Sequence, residues 1–152
     1  MRIRAGIVLI KDNKVALIER HRAGMHYFIF PGGGVDEDES PEDAAIRETM
    51  EELGIEVAIK HKVAEVHIGP KSRQIYFLVE QTGGEFGTGT GEEFAHLSPD
   101  DPGSGVYIPI WMPIEELSQH EKVFPVDVAK LVLKAVNEGW PEEAIIAFED
   151  PK

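Results

Sequence analysis

Three glutamates, Glu48, Glu51 and Glu52, are spaced so that they could bind a divalent cation. In a helix, residues at i, i+3 and i+4 share one face, so the three carboxylates would be neighbours. Arg47 can pair with Glu51 four residues later, but one arginine cannot neutralise three negative charges. Mg²⁺ or Mn²⁺ could, because both ions prefer oxygen ligands. The other interpretation is a solvated acidic helix face, and the spacing alone leaves both open.

The flanking residues predict a helix from Pro41 to Leu53. Ser40 suits the N-cap, a proline suits the first helical position, and Gly54 suits the helix end. At about 100° per residue, three apolar side chains fall opposite the carboxylates. We expect these three to pin the helix to a core: Ile46, Met50 and Leu53.

A glycine-rich segment, Pro31 to Gly34, precedes the helix and follows a short predicted strand, Tyr27 to Phe30. Glycines let the backbone approach a ligand closely and leave its amides and carbonyls accessible. Together, the segment and the helix match the pattern G-x5-E-x7-R-E-U-x-E-E-x-G-U, so the chain resembles the Nudix hydrolase family (MutT-like). The matching positions between 33 and 55 are Gly33, Glu39, Arg47, Glu48, Glu51, Glu52, Gly54 and Ile55. Thr49, where the pattern has an aliphatic residue, and Asp38, where glycine is frequent, depart from it without removing a predicted ligand.

The resemblance implies an α/β fold, the Nudix α/β/α sandwich with a central mixed sheet between helices. It also implies Mg²⁺-dependent (or Mn²⁺-dependent) hydrolysis of a diphosphate bond in a nucleoside diphosphate linked to another moiety, by metal-activated water. Glu48, Glu51 and Glu52 would be metal ligands, and the backbone carbonyl of Gly32 would complete the metal shell. Arg47 would orient the carboxylates.

The resemblance also points to a long loop, residues 82–105, as a source of a further ligand or of the general base. Glu92 is the candidate ligand and Glu93 the candidate base, while Glu51 and Glu52 stay open as bases too. The alternative for the loop is a solvated acidic segment. A different function is a nucleotide-binding module of the same fold that does not hydrolyse its ligand. The three glutamates Glu48, Glu51 and Glu52 of the pattern, called the box glutamates below, are all present, and this disfavours the binding module.

Three further residues are candidates for substrate binding: Arg20, Arg73 and Tyr76. An arginine offers a fork of donors to phosphate oxygens. The alternatives are a solvated strand end at Arg20 and an ordinary polar strand face at the other two. Oxidised nucleoside triphosphates, ADP-ribose, nucleotide sugars and dinucleoside polyphosphates all remain open as substrates.

Length and charge complete the prediction. The chain has 152 residues, a net charge of −13 and no cysteine. We expect one domain over residues 1–152, with no disulfide, no membrane span and no nucleic acid partner, in the cytoplasm. The C-terminal helix is expected over residues 127–138, capped by Asp127, and the 140–152 tail is expected to dock on the domain or on a second subunit of a homodimer.

Overall fold

The structure, a computed structural model, describes residues 1–89 and 106–149. The described residues form nine strands, two α-helices and one 3₁₀ helix. In chain order these are β1 (Arg2–Lys11), β2 (Lys14–Arg22), β3 (Met25–Ile29), β4 (Gly32–Gly34), α1 (Pro41–Leu53), β5 (Ile55–Ile68), β6 (Ser72–Gly84), β7 (Val106–Pro113), the 3₁₀ helix (Ile114–Gln119), β8 (Val123–Phe124), α2 (Val126–Glu138) and β9 (Ile145–Glu149).

The strands form one mixed sheet in the order β8-β3-β2-β1-β6-β5-β9, with β4 beside β1 and β7 beside β2. β1 runs antiparallel to β2 through a tight turn and parallel to β6. Asp12 and Asn13 both have positive φ in that turn, which is the geometry that matches the twist of a two-residue hairpin. A non-local antiparallel pairing places β4, the strand made only of glycines, against residues 4–6 of β1.

Apolar side chains of β1 alternate between two buried clusters, one on each side of the sheet. Ile7 and Leu9 pack with α1, whereas Val8 packs with α2. Side chains of a strand point to opposite faces in turn, so both faces of this sheet are covered. The predicted α/β/α sandwich is confirmed.

Two details of the fold differ from expectation, and a third decides between the two alternatives stated for the tail. Helix α2 begins at Val126 after Pro125, so Asp127 lies in its first turn and does not cap it. β6 continues to Gly84, three residues into the predicted loop. Part of the tail forms β9, which pairs in parallel with β5 and so docks on this chain.

No helix within residues 1–89 and 106–149 is long and apolar enough to cross a membrane.

Candidate active site

Helix α1 has the predicted bounds but a different buried face. Ser40 Oγ accepts a hydrogen bond from the Asp43 N–H at 3.1 Å, and Gly54 ends the helix in the left-handed conformation. The residues buried on this helix are Ala44, Ala45, Thr49, Glu52 and Leu53. The expectation that Ile46 and Met50 pin the helix was wrong: both are exposed.

The small size of the alanines explains this orientation. At about 100° per residue, Glu48 and Glu52 project between Ala44 and Ala45, so two of the three carboxylates belong to the packed side. Two alanines bring the helix close to the sheet, and the longer Ile46 and Met50 stay outside. Thr49 is fully buried and its hydroxyl donates to the Ala45 carbonyl at 2.7 Å, so a polar residue is accommodated at the aliphatic position.

Glu52 is fixed by the glycine strand. Its side chain is almost fully buried, and its Oε1 accepts a hydrogen bond from the Gly32 N–H at 2.7 Å. A buried carboxylate needs such donors because leaving it unpaired would cost several kcal/mol. The bond therefore ties the helix to β4 at the position of the predicted metal ligands.

Glu48 lies directly against Gly33. A Cβ built on Gly33 would overlap the Glu48 carboxyl group, so only glycine fits at this position while that carboxylate keeps its place. The Glu48 side chain is 14% exposed, compared with 42% for Glu51. Of the three box glutamates, Glu51 is thus the most exposed to solvent.

Arg47 organises the exposed side of the cluster. Its Nε and Nη2 form a fork on the Glu39 carboxylate, both at 2.9 Å, and its Nη1 donates to Glu48 at 3.0 Å and to Glu51 at 3.3 Å. Nη2 also reaches the Gly34 carbonyl at 3.1 Å. One guanidinium thus holds three carboxylates and the glycine strand in a fixed arrangement.

The same contacts shift the ionisation of both partners. The hydrogen bonds from Arg47, and then the Asp36 N–H, lower the pKa of Glu39 to about 2. The hydrogen bonds to Glu39, with smaller contributions from Glu48, raise the pKa of Arg47 above its usual value. Glu39 is therefore an anion at physiological pH that anchors Arg47, and a carboxylate with so low a pKa is a poor general base.

The donor set fits a hard divalent cation. Glu48, Glu51 and Glu52 supply only carboxylate oxygens, and the Gly32 carbonyl belongs to the residue whose N–H donates to Glu52. Mg²⁺ and Mn²⁺ bind such oxygen ligands, whereas zinc prefers nitrogen and sulfur. The Gly32 carbonyl also accepts a bond from Arg4 Nη2 at 3.3 Å, a contact that the sequence did not indicate.

The structure also contains a cavity of about 550 Å³, and none of the three box glutamates is among the residues that line it. Three arginines line it, Arg4, Arg20 and Arg22, so positive charge is concentrated here in a chain whose net charge is −13. Arg4 belongs to both places, because it lines the cavity and bonds the Gly32 carbonyl. The volume lies within the range of pockets for small ligands, about 300–1,000 Å³.

Tyr76 forms part of the cavity wall and is otherwise buried. Its hydroxyl donates to Gln74 at 2.7 Å, and burial, partly offset by Arg4, raises its pKa above the usual value. The hydroxyl is therefore a neutral donor and acceptor at any physiological pH. Glu149 of β9 also lines the cavity, and this residue could not be anticipated because β9 was not predicted.

Arg20 is buried at another wall of the same cavity. Its guanidinium carbon lies 3.6 Å from the centre of the Tyr107 ring and 5.7 Å from that of Tyr27. Flat cation–aromatic stacking of this kind keeps an arginine in one orientation. The solvated strand end considered for Arg20 does not describe this environment.

The other predicted residues lie elsewhere. Arg73 is absent from the cavity wall, and its Nη2 lies 3.4 Å from Glu65 Oε1. Burial raises the pKa of Glu65, but the hydrogen bond from His67 and the charge of Arg73 outweigh it and lower the pKa overall. The substrate role of Arg73 therefore stays a prediction. Glu92 and Glu93 lie outside the described residues.

Comparisons with known proteins identify relatives of this chain. The family model of the NUDIX domain matches residues 1–132. An 8-oxo-dGTP diphosphatase of Proteus vulgaris is 39% identical over 61 residues, which cover 38% of this chain and 53% of that protein. An RNA pyrophosphohydrolase of Tolumonas auensis is 48% identical over 50 residues, 33% of this chain and 28% of that protein. The chain thus spans about half the length of the first relative and less than a third of the second.

A solved structure supports the same fold. The crystal structure of a NUDIX hydrolase from Nitrosomonas europaea superposes with a TM-score of 0.75, covering 98% of this chain and 78% of the other, at 19% sequence identity. At that identity, the likeness concerns the architecture and not the substrate.

Proposed function

The chain belongs to the Nudix family, and from this premise we propose that it hydrolyses a diphosphate bond in a nucleoside diphosphate linked to another group, with Mg²⁺ or Mn²⁺ at Glu48, Glu51 and Glu52. The observation that carries the proposal is the position of these three carboxylates. One arginine and one glycine strand hold them in place, and Arg4, which donates to the Gly32 carbonyl of that strand, also lines a cavity that contains two more arginines. When bound, the cation would activate water and offset charge on the phosphoryl oxygens.

The protein's own side chains have separate tasks in this proposal. Arg47 and Glu39 keep the glutamates in place, and neither needs to touch the substrate. Arg4 and Arg20 face the cavity and are suited to bind phosphate oxygens, because guanidinium groups match their geometry. Without such local cations, a chain of net charge −13 would repel its substrate.

Glu51 is the general base that we propose among the described residues. It is the most exposed of the three box glutamates, and the contacts of its oxygens with Arg47 Nη1, at 3.3 and 3.4 Å, are longer than the 2.7 Å bond that Glu52 accepts from the Gly32 N–H. In the reaction, the oxygen of water bonds to phosphorus, the bond from phosphorus to the bridging oxygen breaks, and Glu51 takes a proton from the water. Glu93 is a second candidate, and parallel Gln variants at both positions separate the two.

For the substrate, we propose a small nucleotide rather than RNA. A pocket of about 550 Å³ suits one nucleotide, and the acidic surface disfavours a polyanion. The names of the relatives make 8-oxo-dGTP and RNA the first compounds to compare, followed by ADP-ribose, nucleotide sugars and dinucleoside polyphosphates. Cytoplasmic location and a homodimer are also proposals, which fractionation and sedimentation would test.

The test is a screen of these compounds with Mg²⁺ and with Mn²⁺, with nucleotide products separated by chromatography. We expect at least one small nucleotide to be hydrolysed and the Glu51→Gln variant to be far slower. If the wild type and the Glu51→Gln variant bind a nucleotide equally well and neither hydrolyses it, the result would support the binding module and refute the proposed reaction.

A further inference from the structure

A second group of possible metal ligands lies outside the candidate active site. Glu19 and His21 of β2 and His26 of β3 each offer one ligand atom, and the three atoms lie within 4.8 Å of one another. Glu19 Oε2 is 3.3 Å from His21 Nε2 and 2.6 Å from His26 Nε2. Both imidazoles therefore point the same ring nitrogen at the same carboxylate oxygen.

The pairing of β2 with β3 creates this arrangement. His21 lies directly opposite His26 in the antiparallel register, and Glu19 is two residues before His21 on the same face. The two imidazole rings stack with centroids 4.2 Å apart and only 7° between their planes. Phe28 packs beside His26 at 5.2 Å, so the outer ring is supported from the core side.

This group is separate from the nucleotide cavity. Successive side chains of a strand point to opposite faces, so Arg20 and Arg22 project away from Glu19 and His21. Those two arginines line the cavity. An ion bound at the group would therefore be on the other face of the β2–β3 hairpin from the proposed substrate.

We propose that Glu19, His21 and His26 form a binding site for a transition-metal ion such as Zn²⁺. Two imidazole nitrogens and one carboxylate oxygen are a ligand set that zinc accepts and that Mg²⁺ does not favour. Zinc–ligand bonds near 2.0 Å in a tetrahedral site place ligand atoms about 3.3 Å apart, which matches the Glu19–His21 spacing of 3.3 Å. His26 has to retreat by less than 1 Å from its 2.6 Å contact, and one of the two stacked rings has to turn so that both Nε2 lone pairs meet at the ion. Three protein ligands leave one coordination position for water.

Such an ion would join two strands close to the hairpin turn. That turn contains Ala23 and Gly24, both with positive φ, and Ala23 carries a side chain in a conformation that favours glycine. Binding would thus stabilise a strained end of the hairpin whose opposite face forms part of the cavity. The acidic surface of the chain would raise the local concentration of cations.

The test is calorimetric titration of Zn²⁺ into the full, tag-free chain with Mg²⁺ in excess, so that Mg²⁺ competes for the carboxylate cluster. We expect one equivalent of Zn²⁺ to bind the wild type, and to bind the Glu51→Gln, Glu52→Gln double variant equally well. His21→Ala and His26→Ala should each weaken binding by more than about tenfold, since losing even a residue that only orients a ligand costs that much.

His67→Ala is the matched control. His67 Nε2 lies 2.8 Å from Glu65 Oε2, which are the same atom types and the same two-residue separation as in the pair of His21 and Glu19. Within the described residues, however, this pair belongs to no group of three ligands. Its loss should leave Zn²⁺ affinity unchanged. NMR spectra of the wild type, in which the His21 and His26 ring protons should shift on adding Zn²⁺, provide a readout without any variant.

Two results would overturn the site. One is Zn²⁺ binding that is unchanged in both histidine variants, and the other is no Zn²⁺ binding by the wild type in excess Mg²⁺. In either case the three residues would be a surface cluster of ion pairs. Neither result would affect the proposed hydrolase activity, which is measured separately with Mg²⁺.

Discussion

The backbone N–H of Gly32 donates a hydrogen bond to Glu52 Oε1 at 2.7 Å, which joins the glycine strand to the acidic helix. Together with the bond from Arg47 Nη2 to the Gly34 carbonyl, this contact connects the two parts of the sequence pattern. It also separates the roles of the neighbouring glutamates, because Glu52 is buried while Glu51 is 42% exposed.

The first prediction concerns stability at these two positions. Glu52→Ala should lower the free energy of unfolding by about 1–3 kcal/mol, since it leaves the Gly32 N–H without its acceptor. Glu51→Ala should change it by less than about 0.5 kcal/mol, as is usual for an exposed residue. Urea unfolding at neutral pH measures both, and equal stability of the two variants would contradict the role of the Gly32 contact.

The second prediction concerns Gly33. A methyl group at Gly33 would occupy the space of the Glu48 carboxylate and displace a proposed metal ligand. Turnover of Gly33→Ala should fall by roughly 100-fold, because a misplacement of about 1 Å can have that effect. Gly34→Ala is the control, since a Cβ there meets no described atom within 4 Å. Similar kcat values for the two variants would show that the Glu48 position is not critical.

The third prediction is a pH dependence that arises from Glu39. Its pKa in the folded protein is about 2, below the ordinary value of 4.5, so its ion pair with Arg47 stabilises the fold fully above pH 4.5. That contribution is lost as the pH falls from about 4.5 through 2. The stability difference between wild type and Glu39→Gln should therefore shrink over this range. Urea unfolding at pH 7, 4 and 3 measures it, and a difference that is constant with pH would be inconsistent with the lowered pKa.

The fourth prediction tests the stacking of Arg20 on Tyr107, at 3.6 Å. Tyr107→Leu should raise KM roughly two- to tenfold with little change in kcat, because the arginine loses the aromatic face that orients it. Tyr107→Phe retains the ring and should behave like the wild type. If the leucine variant keeps the wild-type KM, Arg20 does not bind the substrate in this orientation.

The sequence predicted the helix Pro41–Leu53 to the residue, because its ends are specified by local signals: Ser40, the proline after it, and Gly54. The orientation of that helix was not predictable in the same way. It depends on the close contact of Ala44 and Ala45 with the sheet, and this contact involves residues distant in the chain. Hence Ile46 and Met50, apolar by type, are exposed.

The parts of the site that escaped prediction are those set by non-local pairing. Arg4 reaches the Gly32 carbonyl because β1 pairs with β4, a register that no short pattern specifies. Glu149 reaches the cavity because β9 joins the edge of the sheet. The strand sequence IIAFE is apolar, but Ile146 and Phe148 are exposed, so residue type alone did not indicate an edge strand with one face open to solvent.

Metal-dependent hydrolysis at the box glutamates is tested most directly by comparing Mg²⁺-dependent hydrolysis and Mg²⁺ binding in the wild type and in Glu51→Gln. We expect the wild type to release a nucleotide product only with Mg²⁺ or Mn²⁺ present. Turnover of the variant should fall by orders of magnitude and its Mg²⁺ affinity should decrease, while its melting temperature stays close to that of the wild type. Hydrolysis by the wild type that persists in EDTA, or a variant with undiminished turnover, would contradict metal-dependent hydrolysis at these glutamates.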